Sequence, residues 1–136
     1  MGSVVETKFK TILVVDDEDE LRQLIAASLV IRGFDVIEAS SGTEAFRVYV
    51  ERKPDLILSD VRMPNGNGAE LLTQIRAKGF DVPFILMSGY TDLSREQAVQ
   101  AGAAALLNKP FNFRAVFELI TKMLGPAGDH SQRLRP

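Results

Sequence analysis

The sequence contains no cysteine, no tryptophan and only one histidine, His130. The lack of cysteine excludes disulfides and thiolate metal ligands, and it is typical of a cytoplasmic protein. A lone histidine in a tail that contains glycine and proline is expected to be solvated rather than to bind a metal. No apolar run approaches the ~20 residues of a membrane-spanning helix, and the N-terminus lacks a signal-peptide core.

Neither sign of charge dominates, because 16 Lys and Arg oppose 18 Asp and Glu, for a formal net charge of -2. Without a basic excess, direct binding to nucleic acid or to an anionic membrane is not expected. A chain of 136 residues is long enough for one domain with a hydrophobic core and too short for two ordinary ones.

The most informative stretch is the apolar run 56–58, which leads through Ser59 to Asp60. The run is short and its side chains are branched, which predicts a buried strand. Pro64 with the two Asn-Gly pairs at 65–68 predicts a loop after it. Asp60 is therefore expected at the carboxyl end of a central strand, where open α/β sheets place ligands. An isolated aspartate there can equally cap a turn, so the interpretation depends on the other strands.

Four further apolar runs predict strands at Ile12–Val15, Phe34–Ala39, Val82–Met87 and Ala103–Leu107. Apolar residues at helical spacing predict helices between and after them, with core positions that include Leu21, Leu24, Ile25, Leu29, Ala45, Phe46, Tyr49, Val50, Leu71, Leu72, Ile75, Phe113, Val116, Phe117, Ile120 and Leu124. Segment 92–101 has only a thin apolar stripe and predicts the least anchored helix. Strict alternation of this kind predicts an α/β domain with a five-stranded parallel sheet and helices on both faces.

Local signals predict where several of these helices begin and end. Ser41, followed three residues later by Glu44, predicts a capping box at the start of the second helix. Asn112 is expected to cap the last helix, and Gly33 is expected at the position just after the end of the first.

A parallel sheet would bring five polar side chains to one edge, because every strand has its carboxyl end there. Asp16 and Asp17 follow the first strand, Asp60 the third, Ser88 the fourth and Lys109 the fifth. Chance is a poor explanation for such a set, so we expect a functional site at this edge.

Three converging carboxylates need compensation. Two of them about 4 Å apart repel by roughly 4 kcal/mol at an effective dielectric constant of about 20. A cation removes this repulsion, and oxygen-only ligands suit Mg²⁺, Mn²⁺ or Ca²⁺. Lys109, the Ser88 hydroxyl and free backbone N–H groups would then surround Asp60 with donors suited to a transferring phosphoryl group. The residues thus predict that the Asp60 carboxylate attacks phosphorus and forms an aspartyl phosphate.

From Lys10 to Leu124 the chain resembles the receiver domain of two-component response regulators. The resemblance is carried by Asp16-Asp17, by Asp60 in Asp-Val-Arg-Met-Pro, by Ser88 in Met-Ser-Gly-Tyr and by Lys109-Pro110-Phe111. It implies a flavodoxin-like, doubly wound sheet with strand order 2-1-3-4-5. It also implies a phosphorylation-dependent signalling switch rather than a turnover enzyme, with a receiver domain at residues 9–124.

The resemblance further assigns a role to each site residue. By this resemblance Asp60 is the phosphoacceptor. Asp17, Asp60 and the backbone carbonyl of Arg62 bind Mg²⁺, or Mn²⁺ in its place, and Asp16 acts mainly through metal-bound water. Ser88 and Lys109 bind the phosphoryl oxygens. The Lys109–Pro110 peptide bond is expected to be cis.

One position departs from the family pattern. Members usually carry Tyr or Phe three residues before the lysine, and here that residue is Leu106. Leucine has neither a ring nor a phenolic hydroxyl, so the resemblance does not extend to the usual aromatic read-out. Arg62, Gly89 and Tyr90 occupy positions expected to modulate the site, and Arg62 and Tyr90 are predicted to set the lifetime of the acyl phosphate.

Two alternative functions stay open at this point. An aspartate-nucleophile phosphatase would use Asp17 and Asp19, but Asp19 falls at a predicted helix start and Asp60 would be only a metal ligand. A pseudo-receiver would bind partners without phosphorylation, which the change at Leu106 keeps open. A nucleotide-binding loop is disfavoured, because no Gly-x-x-x-x-Gly-Lys-Ser/Thr motif occurs.

The predicted partners follow from the resemblance. They are a sensor histidine kinase or phosphotransfer protein as phosphodonor, and a downstream protein or output domain that contacts the face formed by residues 92–124. Residues 1–8 and 125–136 have the composition of flexible termini or a linker. A stand-alone receiver and a piece of a larger regulator or hybrid kinase are both compatible with the sequence.

Overall fold

A computed structural model describes residues 9–89 and 94–125 of the chain. Strands and helices alternate strictly: β1 Thr11–Val15, α1 Asp19–Ile31, β2 Asp35–Ala39, α2 Gly42–Arg52, β3 Leu56–Asp60, α3 Gly68–Ala77, β4 Phe84–Ser88, α4 Arg95–Ala101, β5 Ala105–Asn108 and α5 Phe113–Leu124. The predicted flexible segment 1–8 lies outside the described residues, as do Tyr90 and all of the predicted segment 125–136 except Gly125.

The five strands form one parallel sheet in the order β2-β1-β3-β4-β5. Strands β1 and β3 are direct neighbours, with Val15 opposite Ser59. The loop that follows Val15 therefore lies beside the end of β3. The predicted flavodoxin-like fold and strand order are confirmed.

Each strand contributes alternate residues to two cores, one on each side of the sheet. Leu13, Ile57 and Leu86 pack with buried residues of α2, α3 and α4. On the opposite face, Val14 and Ile85 pack with α1 and α5. Helices thus cover both faces, which is why the central strands are apolar on both sides.

Two predicted core residues lie on the surface instead. Leu24 of α1 is 57% exposed and Val50 of α2 is 44% exposed. Each follows the helical spacing of its neighbours, but Ile25 and Tyr49, one residue away, occupy the buried faces. Apolar residues outnumber the positions that one face of a helix can bury, so spacing alone cannot identify which of them is buried.

Most predicted helix ends are confirmed. Gly33 follows the α1 C-cap with φ 101°, and the Asn112 side chain accepts a hydrogen bond from Ala115 N at 2.7 Å. The capping box at Ser41 forms only in part. Ser41 Oγ accepts from Glu44 N, whereas the Glu44 carboxylate accepts from Ser40 N at 2.7 Å rather than from Ser41 N.

The two C-terminal strands begin later than predicted. Strand β4 begins at Phe84, and Val82 is buried ahead of it. Strand β5 begins at Ala105, after Ala103 N has bonded the Ala98 carbonyl at the end of α4. Val82 thus belongs to the core and Ala103 to the end of α4, while the N–H of Ala104 already donates to the Phe84 carbonyl of β4 at 2.8 Å.

Arg76 ties the C-terminal end of α3 to two other segments. Its guanidinium donates to the carbonyl oxygens of Phe80 (3.0 Å), Val82 (2.8 Å) and Gly102 (2.9 Å). One side chain therefore satisfies backbone acceptors that precede β4 and end α4.

Substitution of Arg76 by Met is expected to lower the free energy of unfolding by about 2 kcal/mol, because three partly buried carbonyls lose their donor. Urea unfolding measures this effect. Arg114→Met is the matched control, since that arginine forms an exposed i,i+4 pair with Glu118 and should change stability by less than about 0.5 kcal/mol. Equal effects of the two substitutions would contradict the prediction.

Candidate functional site

Three carboxylates meet at the carboxyl edge of the sheet, as predicted. Asp16 and Asp17 follow β1, Asp60 ends β3, and one carboxylate oxygen from each lies within 4.8 Å of the others. Asp16 and Asp60 are buried and Asp17 is exposed. The group thus has one side open to solvent and two members inside the protein.

Asp16 is held closely by its own loop. Its Oδ1 accepts a hydrogen bond from Glu18 N at 2.9 Å, and its backbone N–H donates to the Ala39 carbonyl at 3.1 Å. Its Oδ2 is buried and has no hydrogen-bond partner among the described residues. A buried carboxylate oxygen without a donor is destabilising unless a cation or ordered water satisfies it.

Lys109 places its ammonium group among the carboxylates. Nζ lies 3.3 Å from Asp60 Oδ2, 3.8 Å from Asp16 Oδ2 and 3.9 Å from Glu18 Oε1. The shortest of these is an ion pair, and 3.8 Å is too long for a hydrogen bond. The Lys109–Pro110 peptide bond is cis, as the resemblance implies. One lysine is therefore shared by three acids and neutralises them only in part.

The pKa of the Asp60 carboxyl is raised to about 6, chiefly because burial disfavours its charged form. Lys109 opposes this rise, and Asp16 and Asp17 add to it. Burial likewise raises the pKa of Asp16, while the Glu18 N–H and Lys109 lower it. Two carboxylates that resist ionisation side by side mark a place where positive charge is in short supply.

The arrangement suits a hard divalent cation. The converging ligands are carboxylate oxygens, and Asp16 in this group has a buried Oδ2 without a hydrogen-bond partner among the described residues. Such oxygen-only sets favour Mg²⁺, Mn²⁺ or Ca²⁺ over zinc. The acidic cluster could thus hold a metal ion.

Ser88 ends β4 beside the site but is engaged elsewhere. In the parallel pairing of β4 with β5, Ser88 lies opposite Asn108, and the Ser88 carbonyl accepts a hydrogen bond from Lys109 N at 2.8 Å. The hydroxyl donates to the carbonyl of the half-buried Gly89 at 2.7 Å. The Ser88 hydroxyl would have to leave this hydrogen bond to donate to a phosphoryl group at Asp60.

Three further residues are predicted to modulate the site: Arg62, Tyr90 and Leu106. Arg62 follows Asp60 by two residues and is exposed. Tyr90 lies outside the described residues. Leu106 is in the middle of β5, buried among core residues that include Leu86 and Ala98. A leucine in the core therefore occupies the position where the family usually carries an aromatic residue.

Sequence reasoning missed two residues at the site, Glu18 and Arg22. Glu18 binds Asp16 through its N–H and lies 3.9 Å from Lys109 through its carboxylate. Arg22 donates to the Asp16 carbonyl at 2.8 Å. Arg22 is the first basic residue after the acidic run 16–20, and this isolated charge was the available signal.

Residues 12–121 match the family described as "Response regulator receiver domain". The chain is 34% identical over 122 residues to the phosphate regulon transcriptional regulatory protein PhoB of Pseudomonas aeruginosa, covering 88% of this chain and 53% of that protein. It is 37% identical over 101 residues to the transcriptional regulatory protein KdpE of Mycobacterium tuberculosis, covering 74% and 44%. The chain thus spans about half the length of these two relatives, or less.

Solved structures agree with this assignment. A response regulator receiver domain protein from Clostridium thermocellum superposes with a TM-score of 0.78 at 32% identity, covering 83% of this chain and 92% of that one. The receiver domain of NtrX from Brucella abortus gives a TM-score of 0.77 at 28% identity, covering 83% and 97%. The chain belongs to the receiver domain family of two-component response regulators, a family that is generally regulatory.

Within the described residues, no helix combines the length and the apolar character that crossing a bilayer requires.

Proposed function

We propose that this receiver domain, spanning residues 9–124, is a phosphorylation switch. In this proposal, Asp60 accepts a phosphoryl group from a phosphohistidine of a sensor kinase or phosphotransfer protein. The observation that carries the proposal is the position of Asp60, with an ammonium group 3.3 Å from Oδ2 and two further aspartates beside it. A carboxylate in this setting is a nucleophile placed among groups that bind phosphoryl oxygens.

In the transfer, an Asp60 carboxylate oxygen attacks phosphorus while the P–N bond of the donor imidazole breaks. The Lys109 ammonium donates to the phosphoryl oxygens as charge shifts onto them. The Ser88 hydroxyl exchanges its hydrogen bond to Gly89 for one to the same oxygens. Hydrolysis of the acyl phosphate by water later returns Asp60 to the carboxylate, so the domain resets itself without acting on a separate substrate.

Asp17, Asp60 and the Arg62 carbonyl would hold Mg²⁺, or Mn²⁺ in its place, and Asp16 would act mainly through metal-bound water. The ion, when bound, neutralises charge on the carboxylates and on the transferring phosphoryl group. Exposure of Asp17 supports an approach from solvent, and the unpartnered Oδ2 of Asp16 supports a need for a donor such as metal-bound water.

The output surface is proposed to comprise residues 92–124. Of the residues of α4, which are all described, Ala98 alone is buried, and Val99 is 59% exposed. A helix with so little burial is easily moved, and movement there can bias a partner or output domain. Leu106 occupies the position in this face where the family usually carries an aromatic residue, and together with Arg62, Gly89 and Tyr90 it modulates the switch. In this proposal the domain acts in the cytoplasm through protein contacts, without binding nucleic acid or membrane directly.

Incubation with acetyl phosphate and Mg²⁺, followed by intact-mass measurement, tests the proposal. One phosphoryl group is expected on the parent chain, none on Asp60→Asn, and none when EDTA replaces Mg²⁺. Asp81→Asn, a change of the same kind at an exposed position, should label like the parent. An unlabelled parent would support a pseudo-receiver and end the proposal.

The same incubation distinguishes an aspartate-nucleophile phosphatase. That activity would release phosphate over many turnovers and would depend on Asp17 and Asp19. Asp19 lies in the first turn of α1, 72% exposed at its side chain, where its Oδ1 pairs with Arg22 at 2.8 Å. Its engagement there disfavours a role as general acid.

A further inference from the structure

Arg22 forms a hydrogen bond to the backbone of the acidic loop, the segment after β1 that carries Asp16 and Asp17. It lies on α1 with a side chain only 11% exposed. Its Nη1 donates to the Asp16 carbonyl oxygen at 2.8 Å and to Asp19 Oδ1 at 2.8 Å. Its Nε donates to Glu38 Oε1 on the edge strand β2 at 2.9 Å. The guanidinium group thus joins α1, the edge strand and the loop after β1.

The bond to the Asp16 carbonyl completes the restraint of that residue. The Asp16 N–H is bonded to Ala39 and its Oδ1 to the Glu18 N–H. With Arg22 on the carbonyl, only Oδ2 is without a hydrogen bond. The same carbonyl belongs to the peptide group that leads into Asp17. Rotation of this peptide would move the Asp17 carboxylate away from Asp60, and it would break the bond to Arg22.

We propose that Arg22 is a positioning residue for the cation site, which holds the Asp16–Asp17 peptide so that both carboxylates face Asp60. This inference rests on the proposed function. Arg22 itself donates to the loop backbone, Asp19 and Glu38, so it acts through the orientation of the loop. Arginine suits the role because its planar fork donates in several fixed directions at once, whereas lysine offers a single point charge.

A positioning role and a purely electrostatic role of Arg22 predict opposite changes in Mg²⁺ affinity for Arg22→Gln. A positive charge near a cation site opposes cation binding. If Arg22 acted only through its charge, its neutralisation in Arg22→Gln would tighten Mg²⁺ binding, and Arg22→Lys would leave it unchanged. If Arg22 positions the loop, both variants bind Mg²⁺ more weakly.

Calorimetric titration of the full chain with MgCl₂ measures the Mg²⁺ affinity of each variant. A parallel titration with Mn²⁺, in which binding is detected as a decrease in the paramagnetic resonance signal of free Mn²⁺, provides a second measurement. Both variants are expected to bind about tenfold more weakly than the parent, as is typical when a support of metal ligands is removed. Arg47→Gln, which changes the same charge in an exposed i,i+4 pair with Glu51, should bind Mg²⁺ like the parent. Unfolding in EDTA measures loss of stability separately, since lower stability alone leaves the affinity of the folded chain unchanged.

The outcomes separate this inference from the proposed function. A parent chain that does not bind Mg²⁺ overturns the proposed function and this inference with it. A parent that binds Mg²⁺, with Arg22→Lys and Arg22→Gln binding equally or more tightly, overturns the positioning role alone. If Arg22→Gln does not fold, Arg22→Lys decides, because it retains the charge and most of the buried stem.

Discussion

Substitution of Gly68 by alanine is expected to lower the free energy of unfolding by about 3 kcal/mol and to reduce phosphoryl acceptance at Asp60. Gly68 is the first residue of α3, and its N–H donates to the Val61 carbonyl at 2.9 Å. A Cβ on this residue would overlap the Asp60 carbonyl oxygen and lie 3.0 Å from both the Asp60 carbonyl carbon and Ser59 Oγ.

The overlap falls on the backbone, where relief is difficult. A flexible side chain could rotate away, but the Asp60 carbonyl belongs to a central strand that is paired with β4. Either the start of α3 or the end of β3 must move. Because Asp60 carries the proposed nucleophile, movement there also changes its distance to Lys109.

Denaturant unfolding measures the loss of stability, and acetyl phosphate labelling measures the effect on Asp60. Gly79→Ala is the control, because a Cβ there meets no other atom within 4 Å. Gly79 has a φ of +85°, so alanine there is strained only by its own backbone conformation. It should lose about 1 kcal/mol from left-handed strain and retain normal labelling. Comparable labelling of Gly68→Ala and the parent would show that the contact with Asp60 does not matter for the site.

Substitution of Asp60 by asparagine is expected to stabilise the cation-free protein by about 1–3 kcal/mol at pH 7 to 8. The pKa of Asp60 is raised from its ordinary value of 3.8 to about 6, mainly by burial. The folded state therefore holds this proton more tightly than the unfolded chain does. Asparagine removes the buried charge and keeps a similar shape.

The direction of the pH dependence follows from the same shift. Between about pH 4 and pH 6 the folded state binds more protons at Asp60 than the unfolded state, so stability falls as the pH rises through this window. The contribution of the protonated Asp60 carboxyl to stability is fully present below pH 3.8 and is lost above about pH 6. The gain from Asp60→Asn should accordingly be largest above pH 6 and small near pH 4.

Urea unfolding in EDTA across pH 4 to 8 measures this dependence. Asp81→Asn, at an exposed position, should change stability by less than about 0.5 kcal/mol at every pH. Added Mg²⁺ should stabilise the parent, because a ligand that binds only the folded state shifts the equilibrium toward it. A parent more stable than Asp60→Asn in EDTA at pH 8 would contradict the expectation that burial of this charge destabilises the fold.

Local patterns in the sequence were sufficient for much of the fold. Strand-length apolar runs, helical spacing and the N-cap at Asn112 predicted all five strand–helix units, because these signals depend on neighbours a few residues apart. Exposed Leu24 and Val50 show the limit of such signals. An apolar residue beside a helix face satisfies the pattern whether or not a partner element covers it.

The sequence by itself determined the residue types of the site and the edge at which they meet, since parallel strands bring Asp60 and Lys109 to one side of a sheet. The strand order that puts β1 beside β3 followed from the family resemblance and is confirmed. Only the tertiary structure decided that the Ser88 hydroxyl bonds Gly89 and that Arg22 supports the loop of Asp16 and Asp17. Strand order and these contacts depend on packing between segments far apart in the chain, which no local periodicity encodes.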